Sequence, residues 1–402
     1  MRWARIVSLA LPTLFAAGEA GAQLFIGLGD LPGGATQSRA FGVSANGRVV
    51  VGTSGSDVSD QEPFRWTAAG MQGLGLLPGA SFATCNGVSA DGSTVVGGMT
   101  QGSPQAYRWT TAGGLEALGA LGPGASSEAE AASADGSVIV GWSIALARNA
   151  FRWTESGGMQ PLADPNFLAG GTDSAAQGVS ADGRVVVGHG SSNNGAYEAL
   201  RWTAVDGIQG LGDLADGAFQ SSANAVSGDG NVAVGYGSSG FGGNAVRWTA
   251  ADGMMTSLSN APATAFAASA DGSVVVGAGS FGLGPTDEAF VWDATNGMRR
   301  LATVLANDLH LDLTGWAVGP ATGVSADGNT IVGFGTDPAG QVEAWLARLP
   351  EPDAGASHAA AAAALLALAM RARLRRAGDR RATKSEGAGT ARSESRCSPP
   401  EA

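Results

Sequence analysis

The sequence predicts an all-β protein, a seven-bladed β-propeller of four-stranded repeats about 45 residues long, and three observations lead there. The segment GVSADGSTVVGG, at 87–98, recurs as GVSANGRVVVGT, AASADGSVIVGW, GVSADGRVVVGH, AVSGDGNVAVGY, AASADGSVVVGA and GVSADGNTIVGF. The glycine after its Asp or Asn stands at 47, 92, 136, 183, 230, 272 and 328, so the spacings are 45, 44, 47, 47, 42 and 56. Each interval holds four short strand-like segments, the content of one propeller blade, whereas a parallel β-helix has a shorter coil.

The first segment of each repeat is a short strand ending in Val-Ser or Ala-Ser. A turn follows, in which Asn46, Asp91, Asp135, Asp182, Asp229, Asp271 and Asp327 each precede a glycine. Glycine takes φ > 0 at no steric cost, and Asp or Asn closes such a turn with local side-chain hydrogen bonds. The seven are therefore read as turn residues. A calcium loop needs several oxygen ligands and each turn supplies one carboxylate, so neither a metal site nor a seven-fold catalytic site is expected there.

The second segment is Val-rich and apolar on both faces, as in strands covered on both sides. The third reads PFRWT, AYRWT, AFRWT, ALRWT, AVRWT, AFVWD and EAWLARL, which places Trp66, Trp109, Trp153, Trp202, Trp248, Trp292 and Trp345 once per repeat. Lying mid-strand between apolar neighbours, these rings are read as core, each burying roughly 150–250 Å²; a ring of sugar-stacking tryptophans is the alternative. Arg65, Arg108, Arg152, Arg201 and Arg247 precede five of them on the opposite face, where a turn Asp is one available partner. The last two repeats have Val291 and Ala344 at that place and keep the Asp, so such a pair is not essential. The fourth segment follows a glycine turn, as in GMQGLG, GLEALG, GIQGLG and GMRRLA.

Strand counting predicts how the ring closes. A fourth-type strand, LFIGLGDL at 24–31, precedes the first hairpin, and the array ends on a third-type strand at 343–349. Seven of each type result only if the first strand completes the last blade, a three-plus-one closure that removes the sheet edges. The long last spacing holds one short inserted helix, since Leu301, Val304, Leu305 and Leu309 recur at helical intervals. Asp308, His310 and Asp312 would share a face on a strand, but on this helix His310 points away from the other two, so no metal site is expected.

With 64 glycines and only 14% charged residues, the chain suits many short strands and tight turns rather than a helical enzyme. Residues 23–349 carry 12 Arg, no Lys and 28 Asp plus Glu, a balance of −16 that repels nucleic acid and anionic lipid. Two cysteines, Cys85 and Cys397, leave stability to packing rather than disulfides.

Both ends differ from the array. Residues 1–22 read as a secretory signal peptide: Arg2 and Arg5, an apolar run from Ile6 to Ala17, then Ala20-Gly21-Ala22 as the cleavage site. After the propeller, 23–349, residues 350–376 comprise Pro350-Glu351-Pro352, an apolar run over Ala354–Met370 and a cluster of Arg371, Arg373, Arg375 and Arg376. That run is at the short limit for crossing a bilayer, and the arginines would hold its end in the cytoplasm; an alanine-rich soluble helix is the alternative. Residues 377–402 form a basic polar tail, expected to be disordered.

The pattern F-R-W-T…G…L-G-x-L…G-V-S-A-D-G-x-V-V-V-G resembles the HAF family of bacterial extracellular repeats over roughly residues 24–349. The last repeat, LTGWAVGPATGVSADGNTIVGFGTDPAGQVEAWLARLPEP, is similar to that family's terminal unit. Pro63-Phe64, Ala106-Tyr107 and Ala150-Phe151 stand where the family's name motif has His-Ala-Phe. The tail resembles a PEP-CTERM sorting signal, although its span is Ala-rich and 26 residues follow the Arg cluster. These resemblances imply export in an exopolysaccharide-producing Gram-negative bacterium and processing by an exosortase. They supply no catalytic residue.

The expected function is a secreted or cell-surface binding or structural module: not an enzyme, without cofactor, monomeric, and held transiently in the inner membrane before release. Its partners would be the secretion machinery, an exosortase, and an extracellular polysaccharide of a biofilm matrix or a surface protein. The alternative is a propeller hydrolase acting on extracellular glycans. Sialidase-type propellers carry Ser-x-Asp-x-Gly-x-x-aromatic, whereas the order here is Ser-x-Asp-Gly. A glycosidase needs two carboxylates facing one cleft. The discriminating observation is whether non-repeated carboxylates converge at one mouth of the central channel.

Overall fold

Each repeat folds into one antiparallel four-stranded sheet, and the computed structural model, which describes residues 24–162, 173–191, 196–215, 217–240, 242–281 and 287–350, contains seven of them. The segments read as signal peptide, sorting signal and basic tail lie outside the described residues, apart from Pro350. Blade 1 runs through Ser38–Val43, Val50–Ser54, Glu62–Thr67 and Gly70–Gly73, from the inner strand to the outer. Five further blades repeat this order. In blade 7, Leu24–Gly27 pairs antiparallel with Val342–Arg348, in the register Leu24↔Arg348 to Gly27↔Trp345. The ring is therefore closed by the first strand of the propeller, in three-plus-one fashion. That strand is shorter than LFIGLGDL because Gly29, at φ 74°, turns the chain away, while Leu28 and Leu31 still reach the core.

Hydrogen bonds between blades explain why the hairpin is repeated so closely. In each turn the Ser hydroxyl donates to the side-chain oxygen of the Asp, or of Asn46 in the first, and accepts the N–H five residues on; for Ser89 these bonds are 2.6 Å to Asp91 Oδ1 and 3.0 Å from Thr94 N. The Asp also accepts the N–H two residues on, from Ser93 at 2.9 Å. With its side chain thus occupied, the turn is rigid, and its backbone meets the next blade. Ala45 N–H donates to Ala90 O, Ala90 to Ala134, Ala134 to Ala181, Ala181 to Gly228, Ala270 to Ala326 and Ala326 back to Ala45, at 2.9–3.0 Å. Between blades 5 and 6 the donor is Asp229 N–H, 3.4 Å from Ala270 O. The turn glycine is needed twice over. Gly92 has φ 75°, and a Cβ there would lie 2.6 Å from Val49 of the preceding blade.

Away from the axis, a second set of bonds joins third strands to the following inner strands. Ser38, Ser127, Ser174 and Ser221 accept the N–H of Ala344, Ala106, Ala150 and Ala199 from the preceding blade, at 2.9–3.0 Å. In blades 1, 4 and 7 the glutamates Glu62, Glu198 and Glu343 accept N–H groups of Gly75, Gly212 and Gly29, at 2.8–3.1 Å, and tie down the outer strand. A Cβ on Gly73, Gly210 or Gly27 would meet those carboxylates at 2.2–2.3 Å, so the glutamate and the outer-strand glycine occur together.

The apolar faces of adjacent blades stack between these bonds. All seven tryptophans join interblade clusters, but Trp345 and Trp153 are the deeply buried ones, at 0% and 6% exposure. The other five are half-buried, since blades radiating from an axis separate toward the perimeter. The arginine before the tryptophan does not pair with a turn Asp of the next blade. Instead Arg65 and Arg152 donate to the turn carbonyls of Gly92 and Gly183, and Arg108 lies 4.6 Å over the Trp153 ring.

The inserted helix is one α-turn, Leu301–Thr303, widened into a π-turn over Val304–Asp308, with Leu301, Val304 and Leu305 buried. It ends before His310, which has φ 56° and so lies beyond the helix rather than on it. The segment after it brings Trp316 to 5.2 Å from Phe25, edge to face, with Trp345 6.0 Å away on the other side. This cluster covers the one outer strand that is not joined to its neighbour by a turn.

Truncating Trp153 to Ala is expected to cost about 3–5 kcal/mol, the range for a large aromatic lost from a packed core, and Trp66→Ala about half as much. Thermal or urea denaturation checks this; equal effects would contradict the difference in burial.

Candidate functional site

The inner strands place one variable residue per blade in the central channel. In six blades the inner strand carries a β-bulge, seen in blade 1 as a register that jumps from Ala40↔Gly52 to Gly42↔Val51. The extra residue is Phe41, Glu130, Gln177, Asn224, Phe266 or Thr322; Asn86 takes the same place in blade 2. A bulge re-aims a side chain, and here all seven line a channel of about 390 Å³. The glycine ending each Val-rich run makes the bulge possible. A Cβ on Gly52, Gly141 or Gly188 would lie 1.9–2.0 Å from the carbonyl oxygen of Arg39, Glu128 or Ala175.

These residues form two arcs. Asn86, Glu130, Gln177 and Asn224 come from consecutive blades and face Phe41, Phe266 and Thr322. Among the described residues lining the channel, Glu130 is the one that carries a charge. Two networks orient the polar arc. Asn86 Nδ2 donates to Glu128 Oε1 (3.0 Å) and to Ala129 O (3.0 Å), Thr84 Oγ1 donates to Glu128 Oε1 (2.7 Å), and Trp142 Nε1 donates to Glu130 Oε1 (2.9 Å). Farther round, Ser222 Oγ donates to Gln177 Oε1 (2.8 Å) and Asn224 Nδ2 to Ala265 O (2.9 Å). Arg148 binds Asp173 Oδ1 (2.6 Å) and reaches His189 Nε2 (3.2 Å), while His189 Nδ1 lies 3.3 Å from Gln177 Oε1.

Burial, then the charge of Glu128, push the Glu130 carboxyl up to about 7 against the Trp142 hydrogen bond and Arg148. Burial, then the Arg148 guanidinium, bring His189 down to about 4, although Asp173 opposes this. A guanidinium is a donor only, so His189 Nε2 accepts and Nδ1 carries the proton toward Gln177. Ser222, His189 and Asp173 therefore do not form a nucleophile relay. Asp173 pairs with Arg148 and Tyr197 rather than with the imidazole.

The turn residues Asn46, Asp91, Asp135, Asp182, Asp229, Asp271 and Asp327 are exposed at the hairpin ends, outside the channel lining. Their side-chain oxygens serve their own turns: Asp135 is held at about 2 by the Ser137 N–H and by the Ser137 and Ser133 hydroxyls. The seven tryptophans also stand apart from the channel lining. Of the sorting residues, Glu351, Pro352 and the four arginines lie outside the described residues, and Pro350 ends them. Among the described residues no three His, Cys, Asp or Glu side chains are grouped to hold a metal ion. The bulge residues were not singled out from the sequence. Their signal is a position three before the repeated Ser that varies among Phe, Asn, Glu, Gln and Thr inside an otherwise repeated motif.

Seven closed four-stranded blades around a channel define the chain as a seven-bladed β-propeller. No protein-family model matches it and no curated protein is significantly similar. Among solved structures it is similar to TolB from Acinetobacter baumannii, at 11% identity and a TM-score of 0.43, over 78% of this chain and 64% of that one. The chain thus spans less than two thirds of that protein's length. It is also similar to a putative TolB from Agrobacterium tumefaciens, at 18% identity and a TM-score of 0.38, over 82% of this chain and 91% of that one.

A carboxyl whose folded value, about 7, lies above its ordinary 4.5 binds more protons folded than unfolded between those values. Its contribution to stability is therefore lost as pH rises through 7. Glu130→Gln, which keeps the acceptor for Trp142, is expected to stabilise the protein by roughly 1–3 kcal/mol at pH 8 and hardly at pH 4. Melting temperatures at the two pH values test this; a shift independent of pH would mean a solvated, ordinary carboxyl.

Proposed function

We propose that the protein is an exported, non-enzymatic binding module of the cell surface or extracellular matrix, and that its ligand occupies the central channel. The observation that carries this reading is the convergence of the variable residues of all seven repeats on that one channel. Positions repeated around the ring serve its architecture, whereas these vary from blade to blade.

A glycan hydrolase is the competing reading. Canonical glycosidases place two carboxyls about 5–9.5 Å apart across the bond they break. Two non-repeated carboxylates do come together here, Glu128 and Glu130, but both belong to one strand, Ser126–Ala132. Glu128 is engaged by Thr84 and Asn86, and the opposite arc of the channel offers Phe41, Phe266 and Thr322. No second carboxylate faces Glu130 among the described lining residues. Binding is supported over chemistry.

Blades 1 and 6 carry Phe at the bulge, so Asn224→Phe is compatible with the fold and narrows the polar arc. It is expected to abolish retention on the producing organism's extracellular matrix while leaving the melting temperature within a few degrees. Release of reducing ends from that matrix by the wild type, lost in Glu130→Gln, would establish the hydrolase instead. Export and sorting rest on the two chain ends. Mass spectrometry of protein recovered from the surface or medium is expected to find an N-terminus at Gln23 and a C-terminus between Leu349 and Asp353. A soluble exported chain still ending at Ala402 would refute the sorting step.

A further inference from the structure

We infer that the channel binds a ligand through a primary ammonium group, received by Glu130 and Asn86 beside the Phe41 ring; this rests on the channel being the ligand site. The argument is one of hydrogen-bond inventory. Both N–H groups of the Asn86 amide are committed, to Glu128 Oε1 and Ala129 O, which leaves its Oδ1 as an acceptor. Glu130 accepts from Trp142 through Oε1, and its Oε2 has no hydrogen-bond partner among the described residues. With Glu130 ionised, blades 2 and 3 therefore present acceptors alone to the lumen. An ammonium brings three donors and no acceptor.

Charge selects the same chemistry. Glu128 and Glu130 lie close enough on one strand for the first to resist ionisation of the second. A cation relieves that repulsion, whereas an anion adds to it. The charged groups that act on Glu130 are Glu128 on its own strand and Arg148 on the third strand of the same blade. Arg148 is neutralised by Asp173, and Arg39, two residues before Phe41, lies over the Phe334 ring. His189 is held uncharged by burial and by Arg148. An acidic protein with a recessed carboxylate concentrates cations in the recess.

The remaining lining describes what carries the ammonium. Phe41 stands next to Asn86 in the ring order, and Phe266, 37% exposed, faces the polar arc. Aromatic faces take a cation or the C–H groups beside it. Gln177 Oε1 is occupied by Ser222, which leaves the Gln177 amide N–H groups for an oxygen on the ligand. A free aliphatic diamine and an amino-sugar unit of a polysaccharide both offer the ammonium and fit about 390 Å³; only the second also uses Gln177.

Calorimetry of the mature propeller with 1,5-diaminopentane and with a glucosamine oligomer tests the inference, with 1,5-pentanediol and the N-acetylated oligomer as uncharged controls. Both ammonium probes should bind and both controls should not, and tighter binding of the oligomer would identify the amino sugar as the source. Glu130→Gln should weaken binding roughly 10- to 100-fold. Phe266→Ala, at an exposed position that does not threaten folding, should weaken it less. For 1,5-diaminopentane, whose amines stay charged across this range, binding should fall about tenfold or more from pH 8 to pH 5.5 as the carboxyl takes up a proton. Equal binding of charged and uncharged probes, or no effect of Glu130→Gln, overturns the ammonium assignment. If no ammonium probe binds while Asn224→Phe still abolishes matrix retention, the channel reading stands and this inference falls. If that retention is unaffected as well, both fall.

Discussion

The closed circle of hydrogen bonds between adjacent Asp–Gly turns is the constraint on which the rest of this propeller depends. In six of the seven links the donor belongs to the residue before the turn Asp or Asn, and in the fifth blade to Asp229 itself. Each acceptor lies before the turn Asp or Asn one blade on, until Ala326 returns to Ala45. A single such bond contributes about 1 kcal/mol, so the ring matters chiefly through geometry. It holds every hairpin at the same height and distance from its neighbour. The Ser-x-Asp-Gly sequence follows from this: Ser and Asp make the turn rigid, and Gly permits both its φ and the contact with the preceding blade.

With the hairpins held, the inner strands have one degree of freedom left, and the bulge uses it. The glycine within the second strand leaves space for the bulged backbone, and in six blades the bulge turns one side chain into the lumen. The scaffold and the channel lining thus occupy neighbouring positions of the same motif. Three residues separate a serine that is buried in all seven blades from a position that holds five different amino acids. The residue facing the channel can change there without disturbing the turn.

The polar arc also shows why ionisable groups in one channel need not imply catalysis. Glu130 is mostly neutral at low pH through burial and Glu128, and His189 is neutral through burial and Arg148. Such shifts often mark active sites, but these groups address different partners. The imidazole is enclosed by Arg148 and Gln177, and the carboxyl has no opposing acid across the lumen. What the polar arc presents to the lumen is the acceptors of Asn86 and Glu130 and the amide N–H groups of Gln177.

By itself the sequence determined the number of blades, the four strands in each, the turn chemistry and the closure. All of these are written in local pattern: Asp-Gly between apolar runs, a spacing near 45, and an unpaired fourth-type strand at one end matched by a missing one at the other. Tertiary structure alone decided which residues face the axis. Strand alternation gives the two faces of a blade, but a bulge breaks that alternation, and its position depends on the glycine across the hairpin. The arginine before five of the tryptophans was ambiguous for a similar reason. Its partners, the Gly92 and Gly183 carbonyls and the Trp153 ring, belong to the next blade and meet it only after the blades have stacked. Repetition made the architecture legible, whereas the channel lining comes from the positions that do not repeat, and only the closed ring brings those together.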